Sequence, residues 1–343
     1  MRAAVMRNSQ IVVDTVPDPE PGAGEMLVRT LACGICGSDL HALTHAHKML
    51  DAMRETDTPF HLDPSRDLVM GHEFCAEVLD YGPDAAGMAK PGERVVSMPL
   101  LFRGMQPYGI GYSNDVPGGY GELMVLSAAL ALPVPNGLAT EHAALTEPMA
   151  VGWHAVEKAR LESHDAALVV GCGPVGLAVI AALKLRGIEP IVAADYSPRR
   201  RALAERMGAH VVVDPNARPL MEAWREVADL RPAVLFECVG VPGMLLDLMR
   251  KAPRGARIVV AGVCMDDDTI RPMLGINKEL SLQFVLGYTP GEFMDTLASI
   301  ADGRIDVAPL VTGRVGVEGV AQAFQDLASP DEHAKILVEP WRS

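Results

Sequence analysis

Two cysteines stand three positions apart in the segment LACGICGSDLH, residues 31–41. Cys33 and Cys36 form a Cys-x-x-Cys pair, a spacing that occurs in structural zinc sites, in redox dithiols and, without any chemistry, at buried strand ends. A closed structural zinc site needs four ligands, usually two such pairs, and the chain has no second pair. Residues 97–120 contain no cysteine that could complete one. A redox dithiol of the thioredoxin type would start a helix in a different context, so an open metal site is favoured over it.

A catalytic zinc ion uses three protein ligands and leaves one position for water or substrate. Its ligands are cysteine sulfur, histidine nitrogen and carboxylate oxygen. The segment GHEFCAEV supplies His72 and Glu73, and the segment ALTEPMAVGWHAV supplies Glu147. These three residues are candidates to complete an open site with a cysteine of the 31–41 segment.

A second motif lies in the segment ALVVGCGPVGLAVIAAL. Gly171, Gly173 and Gly176 form G-x-G-x-x-G between an apolar strand and a helix, with Pro174 and Val175 in the first helical turn. The glycines let a pyrophosphate approach the helix N-terminus, where free N–H groups and the helix dipole stabilise negative charge. The pattern predicts a dinucleotide site, although a tight turn with glycines used only for packing is the alternative.

The next strand, PIVAAD, ends in Asp195, 19 residues beyond Gly176. This is about the distance at which dinucleotide folds place the carboxylate that binds the adenosine ribose. That carboxylate would repel a 2′-phosphate, so NAD is favoured over NADP. Arg200, in the run that follows, could turn toward such a phosphate, or it could be a solvated arginine of the first helical turn.

Two further loops are expected to face the nicotinamide. The segments FECVG (236–240) and AGVCM (261–265) end the fourth and fifth predicted strands. Because ligands of open α/β sheets bind outside the carboxyl ends of the strands, Val239 and Gly262 are further candidates for cofactor contact.

Composition limits the class of protein. The chain has 343 residues, 49% of them hydrophobic, which is enough for two domains with separate cores. The formal net charge of −14 disfavours a nucleic-acid partner. Apolar runs are interrupted well before the ~18 residues of a membrane span, and the N-terminus lacks the anatomy of a signal peptide. We therefore expect a cytoplasmic protein without membrane contact, and its six cysteines are expected to be thiols or metal ligands.

The predicted elements divide the chain. Residues 1 to about 155 contain short β-type runs broken by Pro and Gly, which is typical of a strand-rich, barrel-like domain. Beyond about 165, strands and amphipathic helices alternate, which requires crossover connections and therefore a parallel sheet with helices on both faces. The predicted strands of this sheet lie near 167–170, 191–194, 211–213, 233–236, 257–261 and 281–285.

Taken together, these motifs resemble the zinc-dependent medium-chain alcohol dehydrogenases, especially the branch with sorbitol, threonine and butanediol dehydrogenases. The resemblance covers nearly the whole chain. It rests on CGICGSDLH (33–41), GHEFCAEV (71–78), PGERV (91–95), GGYGEL (118–123), TEPMAVGWHAV (146–156), GCGPVGL (171–177) and KELSLQFVLGYTPGEF (278–293).

The resemblance implies an α/β protein with a GroES-like, strand-rich catalytic domain and a Rossmann domain built on a doubly wound, parallel, six-stranded sheet. The expected catalytic domain comprises residues 1–153 and 291–343, and the dinucleotide-binding domain residues 154–290. It also implies hydride transfer between a secondary alcohol or polyol, or the corresponding ketone, and NAD. A homodimer or homotetramer is expected, with the segment KELSLQFVLGY as a candidate edge strand between subunits.

By the same resemblance, Cys36 is a zinc ligand and Cys33 points elsewhere. His72 is the second ligand, and Glu73 or Glu147 is the third. Family members of the liver type carry a cysteine where TEPMA stands, so Glu147 favours the polyol and threonine branch. Many members also have a four-cysteine lobe that binds a structural zinc ion. Its absence implies a single, catalytic zinc per chain.

The resemblance assigns roles to three neighbours of Cys36. Ser38 takes the alcohol proton, His41 relays it to solvent with the cofactor ribose, and Asp39 orients His72. Without the surrounding motifs, Ser38 and Asp39 could simply cap a helix, and His41 could be a surface imidazole.

The chain departs from the family between the first two ligands. Cys36 and His72 are 36 residues apart, longer than expected for this branch, and residues 44–67 carry the excess. This segment should border the substrate entrance, and HKMLDAMRE within it predicts a short amphipathic helix. Two alternatives remain: a zinc-free, NADP-dependent quinone or enone reductase of the same superfamily, and a non-catalytic dinucleotide-binding protein.

Overall fold

The computed structural model describes residues 1–135, 137–228, 230–329 and 331–342. The strands are β1 (Arg2–Arg7), β2 (Gln10–Thr15), β3 (Glu25–Gly34), β4 (Leu68–Val69), β5 (Glu73–Tyr81), β6 (Arg94–Ser97), β7 (Leu100–Arg103), β8 (Gln106–Gly109), β9 (Leu123–Ser127), β10 (Ala131–Pro133), β11 (Ala166–Val170), β12 (Ile191–Ala194), β13 (Val211–Val213), β14 (Ala233–Glu237), β15 (Arg257–Val260), β16 (Ser281–Phe284), β17 (Val311–Val315) and β18 (Lys335–Val338). The helices are α1 (Gly37–Glu55), α2 (Thr140–Ala143), α3 (Thr146–Ala159), α4 (Pro174–Leu185), α5 (Pro198–Met207), α6 (Leu220–Ala228), α7 (Met244–Lys251), α8 (Pro272–Lys278), α9 (Pro290–Ala301) and α10 (Val320–Leu327).

Six parallel strands form one sheet, in the order β13-β12-β11-β14-β15-β16. Strands β11 and β14 are fully buried because separate hydrophobic clusters pack on the two faces of the sheet. Burial on both faces explains their continuous apolar sequences. The doubly wound, six-stranded sheet predicted from the sequence is confirmed. The strand order reverses between β11 and β14, the place where such sheets bind ligands.

A mixed sheet carries the other half of the molecule. Its order is β10-β6-β5-β3-β18-β17, and β9 also pairs with β3. The C-terminal strand β18 pairs antiparallel with β3, with Val338 opposite Cys33. The chain therefore returns, after the parallel sheet, to the strands that it formed first. A three-stranded sheet, β2-β1-β4, and a separate β7-β8 hairpin complete this half.

Helix α1 begins directly after Cys36 and continues into the 44–67 segment. The predicted helix over HKMLDAMRE is present, but as the second half of one longer helix. The two halves meet at His45, whose backbone angles (φ −132°, ψ 28°) are not helical and kink the axis. Met49 and Leu50 are half-buried against the core of the mixed sheet. The second half of α1 is therefore anchored by apolar contacts.

Helix α3 connects the two halves. It carries Glu147 in its first turn and packs on α4 through Gly152, where an added Cβ would lie 2.4 Å from the carbonyl carbon of Ala178. This single helix spans residue 153, the end of the predicted first catalytic segment. None of the described helices combines the length and the apolar character that crossing a bilayer requires.

Candidate active site

Three predicted ligands meet at one point. The candidate ligand atoms of Cys36, His72 and Glu73 all lie within 4.8 Å of one another. Pairing of β3 with β5 places Gly34 opposite Glu73, so the loop after β3 and the start of β5 are adjacent. His72 and Glu73 are buried and Cys36 is half-buried. Cys33, in contrast, belongs to the hydrophobic core beneath, and burial raises its thiol pKa well above the usual value.

Glu73 is held by a buried ammonium group. Lys335 Nζ donates to Glu73 Oε1 at 2.8 Å and to Oε2 at 2.7 Å, and it also donates to the carbonyl oxygen of Ile35 at 3.0 Å. Burial lowers the pKa of Lys335, but the charge and hydrogen bonds of Glu73, together with the charges of Cys36 and Glu147, outweigh it and the net direction is upward. Lys335 is therefore charged and neutralises Glu73 inside the protein.

Glu147 lies in the same environment but outside the three-residue cluster. Its Oε1 accepts a hydrogen bond of 3.0 Å from the hydroxyl of Tyr288, in the loop before α9. Burial raises the pKa of Glu147 to about 7, with the charge of Glu73 adding to the shift and that of His72 opposing it. The structure thus brings both candidate carboxylates close to His72, one with a cationic partner and one with a neutral donor.

Asp39 accepts several hydrogen bonds behind the cluster of Cys36, His72 and Glu73. Its Oδ2 accepts from the hydroxyl of Tyr120 at 2.6 Å and from the backbone N–H of Cys36 at 3.0 Å. His72 Nδ1 is 3.3 Å from Asp39 Oδ1, close but without the geometry of a hydrogen bond. Burial disfavours charge on His72, yet the Asp39 carboxylate dominates and the pKa of the imidazole stands well above its usual value.

Ser38 and His41 face different surroundings. Ser38 Oγ is hydrogen-bonded to the hydroxyl of Tyr112 at 2.8 Å. His41 makes no hydrogen bond with Ser38 in the part of the chain that the structure describes; its ring lies 6.3 Å from that of His45. It lines a groove of about 630 Å³ between the β1-β2 turn, α1 and α10. Burial lowers the pKa of His41, with the charge of His45 adding to the shift.

The glycine motif forms the predicted strand-to-helix turn. Gly171 follows β11 with a positive φ of 90°, and Gly173 is the N-cap of α4, with Pro174 at the first helical position. A Cβ on Gly176 would lie 1.9 Å from the carbonyl oxygen of Gly171, so only glycine fits there. Val175 is partly buried against the core.

A cavity of about 510 Å³ opens over this turn. Its lining includes Gly171, Gly173, Asp195, Arg200 and Val239. Asp195 Oδ2 accepts from the backbone N–H of Cys172 at 2.8 Å, and its Oδ1 accepts from that of Ser197 at 2.8 Å. The nearest guanidinium nitrogen of Arg200 lies 3.9 Å from Asp195 Oδ2.

Glu237 organises the loops after β14 and β15. This buried carboxylate at the end of β14 accepts from the backbone N–H groups of Val239 and Gly240, at 2.7 and 2.9 Å. Gly262 fits beneath this loop, since a Cβ there would lie 2.4 Å from the amide nitrogen of Gly240. Both candidate loops therefore stand at the carboxyl edge of the parallel sheet.

Two protein families match separate segments of the chain. A family described as "Alcohol dehydrogenase GroES-like domain" matches residues 22–136, and one described as "Zinc-binding dehydrogenase" matches residues 174–302. The chain is also 31% identical to (R,R)-butanediol dehydrogenase of Bacillus subtilis (strain 168), over 99% of this chain and 100% of the relative. The chain belongs to the zinc-dependent medium-chain alcohol dehydrogenase family.

Two further comparisons agree with this membership. The sorbitol dehydrogenase of Bacillus subtilis is 27% identical, over 100% of this chain and 98% of the relative. The crystal structure of 2R,3R-butanediol dehydrogenase from Bacillus subtilis superposes with a TM-score of 0.84 at 29% identity, covering 99% of both chains. The predicted family and fold class are confirmed. The chain is a dehydrogenase that acts on CH–OH groups, with hydride transfer between alcohol and ketone.

Sequence reasoning does not find four side chains of this dehydrogenase site: Tyr112, Tyr120, Tyr288 and Lys335. Tyr120 and Tyr288 stand inside the motifs GGYGEL and LGYTPGEF, so the sequence could have pointed to them as site residues. Tyr112 and Lys335 carry no spacing pattern, because their partners are distant in the sequence.

Proposed function

We propose that this dehydrogenase transfers hydride between a secondary alcohol or polyol and NAD, at a single zinc ion bound by Cys36, His72 and a carboxylate. The observation that carries the proposal is the cluster of Cys36, His72 and Glu73 within 4.8 Å, with Ser38 two residues after Cys36. The relatives named butanediol and sorbitol dehydrogenase support a secondary alcohol with a neighbouring hydroxyl as the first substrate class to test.

The donor set fits a catalytic zinc site. One thiolate, one imidazole and one carboxylate are ligands that zinc prefers, and three of them leave a position for substrate. When bound, zinc would polarise the substrate oxygen and lower the pKa of an alcohol. The residues around it have their own tasks: Asp39 orients His72 from behind, and Ser38 accepts the alcohol proton. His41 is proposed to pass that proton to solvent once the cofactor ribose lies between them.

Either carboxylate can be the third ligand. Glu73 is favoured by distance, but both of its oxygens accept hydrogen bonds from Lys335. Glu147 is engaged through Oε1 only. Zinc affinities of Glu73→Gln and Glu147→Gln, measured by competition with a chromogenic chelator, distinguish them, since loss of a direct ligand weakens binding more than loss of a nearby charge.

The proposed preference for NAD rests on Asp195. Its carboxylate lines the cavity above the glycine turn and is kept in place by two backbone N–H groups. A ribose with free hydroxyls can donate to it, whereas a 2′-phosphate would be repelled. The glycine turn would receive the pyrophosphate, and the loops of Val239 and Gly262 would border the nicotinamide.

We also propose that residues 1–153 and 291–343 form the catalytic domain and residues 154–290 the cofactor domain. The pairing of β18 with β3 supports the return of the C-terminal segment. A homodimer or homotetramer is proposed through β16, because β16 is an edge strand whose Phe284 is 63% exposed, next to Leu286 at 86%. Exposed apolar edges favour pairing between chains. A monomeric mass by sedimentation would contradict this assembly.

The decisive experiment is zinc per chain by elemental analysis, together with oxidation of butane-2,3-diol and 2-butanol. Wild-type protein should contain one zinc and reduce NAD faster than NADP. Cys36→Ser should lose both the metal and the activity, whereas Cys264→Ser, a half-exposed cysteine outside the metal cluster, should keep the metal. A folded wild-type protein without zinc, or without turnover of either alcohol, would contradict the proposal.

A further inference from the structure

Tyr112 links Ser38, the predicted proton acceptor, to Asp39, the carboxylate behind the predicted metal ligands. It lies in the loop after β8, 74 residues from Ser38 in the sequence. Its hydroxyl oxygen lies 2.8 Å from Ser38 Oγ and 3.1 Å from Asp39 Oδ1. The phenol has one proton and a carboxylate only accepts, so that proton is donated to Asp39. Its ring lies 5.2 Å from the imidazole of His72. One phenol thus contacts three residues of the site at once.

These contacts restrict Ser38. A serine side chain at the start of a helix can rotate between staggered positions, and its proton rotates as well. Tyr112 is the hydrogen-bond partner that the structure places on Ser38 Oγ, within the described part of the chain. Because the phenol proton is donated to the Asp39 carboxylate, the Ser38 hydroxyl donates its own proton to the phenol oxygen, and the lone pairs of Ser38 Oγ point elsewhere.

Tyr112 is itself fixed. Its ring packs between the imidazole of His72 and the ring of Phe60, whose centroid is 6.2 Å away. Asp39, the acceptor of its proton, is fully buried and anchored by Tyr120 and by the backbone of Cys36. A phenol held at both ends can therefore impose a direction on the small hydroxyl of Ser38.

From this arrangement we propose that Tyr112 is a positioning residue for the proton transfer, which keeps a lone pair of Ser38 Oγ directed at the hydroxyl group of the alcohol. The inference rests on the proposed function, because Ser38 must be the group that exchanges a proton with the alcohol. Tyr112 does not exchange that proton with the substrate. It acts through Ser38, and its effect should disappear when Ser38 is absent.

The test is a double-mutant cycle of Tyr112→Phe and Ser38→Ala, with butane-2,3-diol and NAD as substrates. Tyr112→Phe keeps the ring and removes only the hydroxyl. It should lower kcat about tenfold, which corresponds to about 1.4 kcal/mol of activation free energy, with KM changed less than about twofold. In the Ser38→Ala background the same substitution should have no further effect on kcat.

Two controls separate positioning from loss of structure. Tyr108→Phe removes a phenol hydroxyl that makes no hydrogen bond in the described chain, four residues before Tyr112, and should leave kcat unchanged. Zinc content and the urea midpoint are measured for each variant. Coupling of Tyr112→Phe with Ser38→Ala should also appear in the urea midpoints, because the two hydroxyls are bonded.

The outcomes are distinct. An active wild type in which Tyr112→Phe leaves kcat unchanged, or in which the two substitutions act independently, overturns the role of Tyr112 and leaves the proposed function standing. A zinc-loaded wild type that oxidises neither butane-2,3-diol nor 2-butanol contradicts the proposed function instead.

Discussion

Lys335 binds both carboxylate oxygens of Glu73, at 2.8 and 2.7 Å, and so joins strand β18 to the residue next to His72, a proposed zinc ligand. Both side chains are almost completely buried. Removing one member of a buried pair leaves an uncompensated charge, which costs more than the pair itself contributes. The ion pair therefore ties the integrity of the site to the C-terminal strand.

Lys335→Met is expected to reduce the free energy of unfolding by about 3–5 kcal/mol, because the buried carboxyl group of Glu73 would lose its partner. Urea unfolding of metal-free protein measures this. Combining Lys335→Met with Glu73→Leu removes both charges and should recover much of the loss. A double variant as unstable as Lys335→Met would show that the lost charge pairing is not the cause.

Gly176 should be needed for a stable fold, and Gly173 should be needed for cofactor binding. Gly176→Ala places a methyl group 1.9 Å from the carbonyl oxygen of Gly171, so it should destabilise the protein by about 1–3 kcal/mol. Among the residues that the structure describes, the guanidinium of Arg200, at 4.0 Å, is all that a Cβ on Gly173 would meet. Gly173→Ala should therefore keep the melting temperature and weaken NADH binding, measured by nicotinamide fluorescence. Equal melting temperatures for both variants would refute this division of roles.

Asp195→Ser should change the cofactor preference. The substitution removes the charge that would repel a 2′-phosphate and releases Arg200, now 3.9 Å from the carboxylate, to bind one. We expect the ratio of kcat/KM for NAD over NADP to fall at least about tenfold, or about 1.4 kcal/mol of discrimination.

Asp214→Ser is the matched control for cofactor preference, because Asp214 follows the neighbouring strand and pairs with Arg201 at 3.1 Å instead of lining the cavity. A similar change of the NAD/NADP ratio in both variants would mean that general surface charge, and not the position of Asp195, sets the preference.

Phe60 should limit the size of the substrate. It comes from the 44–67 segment and packs on Tyr112, whose hydroxyl holds Ser38. Phe60→Ala should raise kcat/KM for 1-phenylethanol relative to 2-butanol by about tenfold, since pocket volume discriminates between apolar groups at roughly this level. Phe102→Ala, an exposed phenylalanine on β7, is the control. An unchanged ratio in Phe60→Ala would place the substrate elsewhere.

The elements that the sequence predicted correctly depend on local sequence patterns. The six strands of the parallel sheet and the glycine turn depend on apolar runs and on glycines close together in the sequence, and the structure has them within a few residues of their predicted positions. The helix in the 44–67 segment was also predictable, because its amphipathic period is local. Its continuity with the helix that starts after Cys36 was not, since that depends on how the backbone bends at His45.

By itself, the sequence determined the family and the cofactor turn, because their motifs consist of residue types at short, fixed spacings. The resemblance to that family then supplied the set of candidate ligands. Tertiary structure alone decided the partners of those residues. Tyr112 reaches Ser38 across 74 positions, Tyr288 reaches Glu147 across 141, and Lys335 reaches Glu73 across 262. Such contacts have no period, since they arise where β18 pairs with β3 and where separate loops pack together. The hydrogen-bond partners of both carboxyl groups and of the Ser38 hydroxyl are set by these long-range contacts.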